Sequence, residues 1–199
     1  MPDLTLIVPS LDLDVGQAAI QRARDKAGCD LIGVVGHDVG KRMFSHTVNQ
    51  CFQGIDTPYI AIMSDDCEPQ TEFFLQELMM VLDLDDTWGY VCPTMPCRTP
   101  PISDMKEPYH EPRIQQVDSV PFGCVVIKHA VLEQVGALDE QTFAHYCSDT
   151  DHQYRSRDCD PPWKAVWAQH VYVHRELHPP REPQWTLDRI QFMRRWGHT

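Results

Sequence analysis

The stretch Tyr59–Glu68, Tyr-Ile-Ala-Ile-Met-Ser-Asp-Asp-Cys-Glu, constrains this chain more than any other part of it. Its first five residues are an unbroken apolar run. A strand of that kind needs cover on both faces, which places it in the middle of a sheet. The run leads straight into two adjacent carboxylates, Asp65 and Asp66. Ligands of open α/β sheets gather just beyond the carboxyl ends of such strands. Two neighbouring acids there repel each other unless a cation or a phosphate-bound metal neutralises them.

Strand and helix signals alternate around this run. Leu4–Val8 is apolar and ends at Pro9, as a strand would; Asp14 then caps a helix carrying Val15, Ala18, Ala19 and Ala23, which Gly28 closes. Leu31–Val35 reads as a second strand, residues 41–53 as a helix, and Tyr59–Met63 as the third strand. Thr71 caps a helix over Glu72–Leu82, whose Phe74, Leu75, Leu78, Met79 and Leu82 form one apolar stripe. Trp88–Cys92 is a further strand. The spacing predicts an α/β domain with a mostly parallel central sheet and helices on both faces. Pro93–Pro121 breaks the pattern with a long, proline-rich irregular loop, the kind of segment that in a compact domain is functional or disordered. Beyond it come a strand over Phe122–Lys128, a short helix Ala130–Val135 ending at Gly136, and a helix from Ser148 to Arg157 with Asp151 completing a capping box. Two short strands, Lys164–Trp167 and Val171–His174, and a helix over Trp185–Arg195 complete the reading.

At 199 residues the chain has the length of one domain with a sizeable core. A formal charge of −12 sets its surface against bulk nucleic acid and anionic lipid. The last quarter is locally basic (Arg175, Arg181, Arg189, Arg194, Arg195) and could hold phosphates or simply form a solvated face. No secretory signal or stretch of ~20 apolar residues is expected to insert in a membrane. The eight cysteines are scattered and form no Cys-x-x-Cys pair, so reduced, buried thiols and a cytoplasmic location are expected, with little support for structural zinc.

Three constellations could carry chemistry. Ser64-Asp65-Asp66 is either a strand-end turn or a site for a hard cation such as Mg2+ or Mn2+. Ser148-Asp149-Thr150-Asp151 with Arg155 is a helix start whose cap and first-turn acids account for Ser148 and Asp151; it leaves Asp149 free to act as a general base. In the third, His170, Tyr172 and His174 share one face of a strand, with His178 further on. Pro179 and the β-branched residues argue against the helix that a three-histidine zinc site would need, so each histidine here is either structural or one of them joins a distant acid at a metal.

Taken in order, these pieces resemble glycosyltransferases of the GT-A fold, family two. Leu6-Ile7-Val8-Pro9-Ser10 resembles the family's first strand and its Val-Pro turn. Asn49 to Asp66 is similar to its Asn-x-Gly, strand and Asp-x-Asp passage. Pro121–Ile127 through Val135-Gly136-Ala137-Leu138-Asp139-Glu140 resembles the stretch before its catalytic acid. Ser148-Asp149-Thr150-Asp151 with Arg155 is similar to Glu-Asp-x-Asp and its following Arg, Val173-His174 to the late Val-x-His, and Arg194-Arg195-Trp196-Gly197 to an Arg-Lys-Trp-Gly ending. The resemblance covers almost the whole chain.

It implies an inverting transferase that uses a nucleotide-sugar donor, UDP-linked by preference, with Mn2+ or Mg2+. Residues 1–92 would bind the donor, 93–180 would form the acceptor and catalytic half with the proline-rich loop on the acceptor side, and 181–199 a helical tail. Asp66 and His174 would hold the metal. Pro9, Ser10, Asp38, Asn49 and Asp65 would surround the donor, and Asp149 would deprotonate the acceptor hydroxyl, with Asp151 and Arg155 as secondary candidates. The acceptor would be a glycan or another hydroxyl-bearing molecule, and the basic tail leaves a nucleic acid open. The sequence departs from the family pattern at Ser64, where Asp-x-Asp has its first acid, at Ser148, which replaces Glu, and at Val35-Gly36-His37-Asp38, which lacks an acid at the strand end. Gln191 and Trp196 are one residue too far apart for the motif of processive synthases. Two alternatives stand beside this reading. A degenerate module that only binds a nucleotide-sugar or partner would explain Ser64 and Ser148. A nucleotidyltransferase would need a glycine-rich loop where Pro9–Asp14 has no glycine.

Overall fold

The apolar runs form the centre of the molecule. β1 (Leu4–Ser10) and β3 (Tyr59–Met63) lie side by side, and Leu6–Val8 and Ile60–Met63 are buried throughout. The computed structural model describes residues 2–39, 43–97, 102 and 108–197. Its other strands are β2 (Leu31–His37), β4 (Cys67–Pro69), β5 (Trp88–Thr94), β6 (Ile114–Val117), β7 (Cys124–Lys128) and β8 (Lys164–Arg175). They make one sheet in the order β2–β1–β3–β7–β5–β8–β4, with β6 beside β8. β1, β2, β3, β5 and β8 run one way and β4, β6 and β7 the other, so the sheet is mixed but mostly parallel, as expected.

Among the described residues six helices flank it: α1 (Leu13–Lys26), α2 (Phe44–Cys51), α3 (Phe74–Leu82), α4 (His129–Val135), α5 (Ser148–Ser156) and α6 (Gln184–Trp196). Two glycines of β2 show how closely they sit. A Cβ on Gly33 would lie 2.4 Å from Ile20 of α1, and one on Gly36 would lie 2.8 Å from Thr47 of α2. Positions three apart on a strand face opposite ways, so α1 and α2 cover opposite faces. α3 joins the α1 side, where the Gln76 N–H donates to the Ala27 carbonyl (3.0 Å). α4 and α5 pack together on other strands of the sheet.

Several boundaries differ from the sequence expectation, each for a local reason. Asp12, not Asp14, caps α1: its Oδ1 accepts the N–H groups of Asp14 (2.9 Å) and Val15 (3.2 Å). Thr71 caps nothing, because its Oγ1 accepts the Tyr172 N–H (2.8 Å) at the β4–β8 corner, and α3 starts only after Phe73, which has a φ of 61°. α5 likewise follows Cys147, at φ 61°, so Ser148 is its first helical residue and no capping box forms. The two strands expected near the end are a single strand, β8, whose register against β5 jumps from Pro93–Ala168 to Thr94–Tyr172. That irregularity hid the strand's continuity from the alternation of its side chains. The proline-rich segment contributes the end of β5 and all of β6. Residues 98–101 and 103–107 of that loop, and 41–42 of the expected second helix, lie outside the described residues.

Candidate active site

The carboxyl ends of β1 and β3 meet at Ser10 and Asp65. Ser10 Oγ donates to Asp65 Oδ2 (2.6 Å), and Arg22 of α1 donates to the Asp65 carbonyl (2.7 Å). Pro9 precedes this contact, paired with Gly36. Asp38, just beyond β2, donates its N–H to the Ser10 carbonyl (3.1 Å), while its carboxylate accepts the Met43 N–H (2.9 Å). Pro9, Ser10, Asp38 and Asp65 therefore sit at one end of the sheet. Asn49 serves a different purpose. From α2 its amide donates to the Leu138 carbonyl (2.9 Å) and Glu140 (3.2 Å) and accepts the Leu138 N–H (2.9 Å). It braces the 138–140 segment rather than facing the strand ends.

Asp66 points the other way from Asp65, toward β8. Arg175 Nε lies 3.2 Å from both of its carboxylate oxygens, and His178 Nε2 lies 3.9 Å from Oδ2. Asp66 Oδ1 is buried and accepts no hydrogen bond from the described residues. His174, the metal ligand expected from the sequence, is exposed and paired in register with Glu68. Strand alternation turns it away from the side that Arg175 occupies. The basic groups the fold brings to Asp66 are Arg175, one position on, and His178. No group of three or more His, Cys, Asp or Glu side chains among the described residues is arranged to hold a metal.

Asp149 stands on the first turn of α5. Its Oδ1 accepts the Thr150 N–H (2.8 Å) and its Oδ2 the Phe122 N–H (3.3 Å). Burial pushes its carboxyl above the usual aspartate range, and these hydrogen bonds pull back only part of the shift. Gln153, one turn on, is buried; its amide donates to the Asp149 and Val120 carbonyls (3.0 and 2.8 Å) and accepts the Val120 N–H (2.8 Å). The 120–123 segment is thus held against Asp149. The next residue reaches the surroundings of the other acid: the Gly123 carbonyl accepts the Ser64 N–H (2.8 Å), and a Cβ on Gly123 would stand 2.3 Å from Arg175 Nη1. Two successive residues, Phe122 and Gly123, span from Asp149 to the partner of Asp66.

Asp151 and Arg155 build the frame. Asp151 is fully buried and accepts from Arg155 Nε (2.9 Å), Arg195 Nη1 (2.9 Å) and Trp196 Nε1 (3.0 Å). Arg155 also donates to the carbonyls of Val135 and Ala137 (2.9 Å each). Sequence reasoning missed Arg175 as a neighbour of Asp66, though it directly follows His174. It also missed His152, which is buried between the Tyr90 hydroxyl (3.0 Å) and the Gly136 carbonyl (2.8 Å) with its pKa pushed down to about 4 by burial. The surrounding polar residues gave no signal of that burial.

No family model and no curated protein sequence matches the chain. Solved structures do match it, and they define the class of fold. One is a mannosyltransferase from Pyrobaculum calidifontis in complex with GDP-Man and Mn2+ (TM-score 0.65, 14% identity, 100% of this chain and 65% of that one). A second is GalNAc-T7 with UDP, GalNAc and Mn2+ (0.69, 9%, 99% and 49%). A third is glucosyl-3-phosphoglycerate synthase from Mycobacterium tuberculosis with Mg2+ and UDP (0.62, 8%, 100% and 80%). The chain has the GT-A-type fold of these transferases, and it spans 65% and 49% of the length of the first two.

Proposed function

We propose that this protein is an inverting, metal-dependent glycosyltransferase that moves a sugar from a nucleotide-sugar donor, UDP-linked by preference, to an acceptor hydroxyl. The observation that carries the reading is the Phe122–Gly123 bridge, which joins a half-buried acid suited to act as a base, Asp149, to Ser64 and Arg175 beside Asp66 at the end of a central strand. The ligands named with the solved structures of this fold are nucleotides, sugars and divalent ions, which agrees with it.

The donor end comprises Pro9, Ser10, Asp38 and Asp65. Asp66 fits a hard cation: its Oδ1 is buried without a hydrogen bond, and Mg2+-type ions commonly take one or two carboxylates plus substrate phosphates rather than a full protein cage. His174 would have to turn toward Asp66 to join it, whereas His178 already faces that carboxylate. A divalent ion held there supplies positive charge to the diphosphate leaving group. Asp149 accepts the proton of the attacking hydroxyl, and its raised pKa makes it a stronger base than an ordinary carboxylate. Attack from the face opposite the leaving group inverts the anomeric centre. Gln153 and the Phe122 N–H fix the base, and alignment of the two substrates supplies much of the acceleration. The 93–180 half, with its proline-rich loop, forms the acceptor side. Among the described residues no helix is long and apolar enough to cross a membrane. The free thiols suit a reducing compartment, the cytoplasm.

Nucleoside diphosphate release from a panel of donors with Mn2+ and Mg2+ tests the proposal. Asp149→Asn should abolish release while leaving nucleotide binding intact. Release unchanged in that variant, or no release with any donor despite tight binding, would refute it.

A further inference from the structure

Asp66 already has a cation. Arg175 reaches it from β8 with Nε 3.2 Å from both carboxylate oxygens, and the guanidinium fits there because residue 123 has no Cβ. Both partners are largely shielded, with side-chain exposures of 26% for Arg175 and 24% for Asp66, so the pair is tighter than a surface salt bridge. One negative charge cannot neutralise a guanidinium and a divalent ion together. Asp65, the neighbouring acid, is turned away to Ser10. Adding a metal ion to this arrangement leaves excess positive charge in a partly dry site, where like charges repel strongly. A diphosphate removes that excess, because its own negative charges can engage both cations.

We propose that Arg175 competes with a divalent ion for Asp66 and thereby couples the two ligands, so that metal binds weakly alone and tightly together with a nucleoside diphosphate. The proposal rests on Asp66 as the metal-binding acid. By linkage, the nucleotide must gain from the metal the same factor that the metal gains from the nucleotide. Arg175 thus acts as a positioning residue that keeps Asp66 oriented and guarded until the diphosphate arrives. Gly123 is part of the device, since its missing side chain is what admits the guanidinium.

The test is binding of Mn2+ by electron paramagnetic resonance, with and without UDP or GDP, corrected for the Mn2+–nucleotide complex in solution. Wild-type protein should bind Mn2+ about tenfold more tightly in the presence of nucleotide. Arg175→Gln should bind Mn2+ alone about tenfold more tightly than wild type and lose most of the nucleotide effect. Gly123→Ala should shift Mn2+ affinity the same way, because the new methyl displaces only the flexible end of Arg175 and keeps its charge. Thermal melts confirm that both variants fold. The proposal is overturned if Asp66→Asn loses Mn2+ while neither Arg175→Gln nor Gly123→Ala gains it. Mn2+ binding untouched by Asp66→Asn would instead remove the metal-site reading itself, and this proposal with it.

Discussion

Removing the Asp151 carboxylate is the sharpest test of what holds α5 and α6 together. Asp151 is fully buried and receives three hydrogen bonds, from Arg155, Arg195 and Trp196, so it ties α5 to α6. Taking one partner from a buried ion pair costs about 3–5 kcal/mol, because the remaining charge is stranded. Here the stranded charges have relief. Arg155 and Arg195 are 27% and 34% exposed, Arg195 keeps Asp139 at 2.8 Å, and Arg155 keeps two carbonyls. That lowers the expected cost of Asp151→Ala to about 2–4 kcal/mol. In a protein of this size the loss corresponds to roughly 4–16 °C in Tm. Asp151→Asn, which retains an acceptor for Trp196, should lose less. Urea unfolding followed by tryptophan fluorescence suits the question, since Trp185 and Trp196 both lie on α6. A local release of α6 would appear as an early fluorescence change ahead of the global transition. If Asp151→Ala unfolds within about 0.5 kcal/mol of wild type, a value normal for inert surface changes, the network does not anchor α6 and the reasoning is wrong.

Asp149→Asn should lower turnover by roughly 10²–10⁴-fold. Because burial raises this carboxyl, wild-type activity should fall with a one-proton acid limb above the ordinary aspartate pKa, a limb that a pH–rate profile would reveal and whose absence would count against Asp149 as the base. His152 titrates near 4 in the folded protein against about 6.5 when unfolded, so the unfolded chain takes up its proton first. Its stability contribution is intact above pH ~6.5 and declines by about 3 kcal/mol as pH falls to ~4; His152→Gln should flatten that slope in denaturation measured across the range. Asn49→Ala should destabilise by about 1–3 kcal/mol through the unpaired Leu138 N–H, with UDP affinity by calorimetry unchanged, since its amide braces residues 138–140 rather than the donor end.

Much of the fold was legible because hydrophobic burial is written in order along the chain. The apolar runs Leu4–Val8 and Tyr59–Met63 could be covered only at the sheet centre, and there they lie. Caps were less legible, since which residue caps is decided by backbone angles: Phe73 and Cys147, both at positive φ, hold the N-cap positions expected for Thr71 and Ser148. β6, with the pattern Ile-Gln-Gln-Val, carries too little apolar alternation to stand out from the loop around it. At the site, the ends of β1 and β3 were readable from strand position alone. The partner of Asp66 was not, because Arg175 lies 109 residues away and its side is fixed by strand parity and the β4–β8 register. That same parity turns His174 outward.

The basic tail takes on a definite meaning from these pairings. Asp149 and Asp151 are two residues apart on α5, roughly 200° around the helix, so one faces Phe122 and the other faces α6. A single helix thereby carries the candidate base on one side and its anchor on the other, and the anchor needs a positive partner to be buried at all. Arg195 supplies that charge at 2.9 Å, and Arg175 supplies the matching charge to Asp66 at 3.2 Å. Arg181 donates its backbone N–H to the Tyr146 hydroxyl (2.6 Å), tying down the segment between β8 and α6. In a chain of net charge −12, two arginines of the last quarter, Arg175 and Arg195, are therefore placed where acids near the site would otherwise be left unpaired. On this account a truncation before α6 should disturb Asp149 through α5 rather than by removing a phosphate-binding surface.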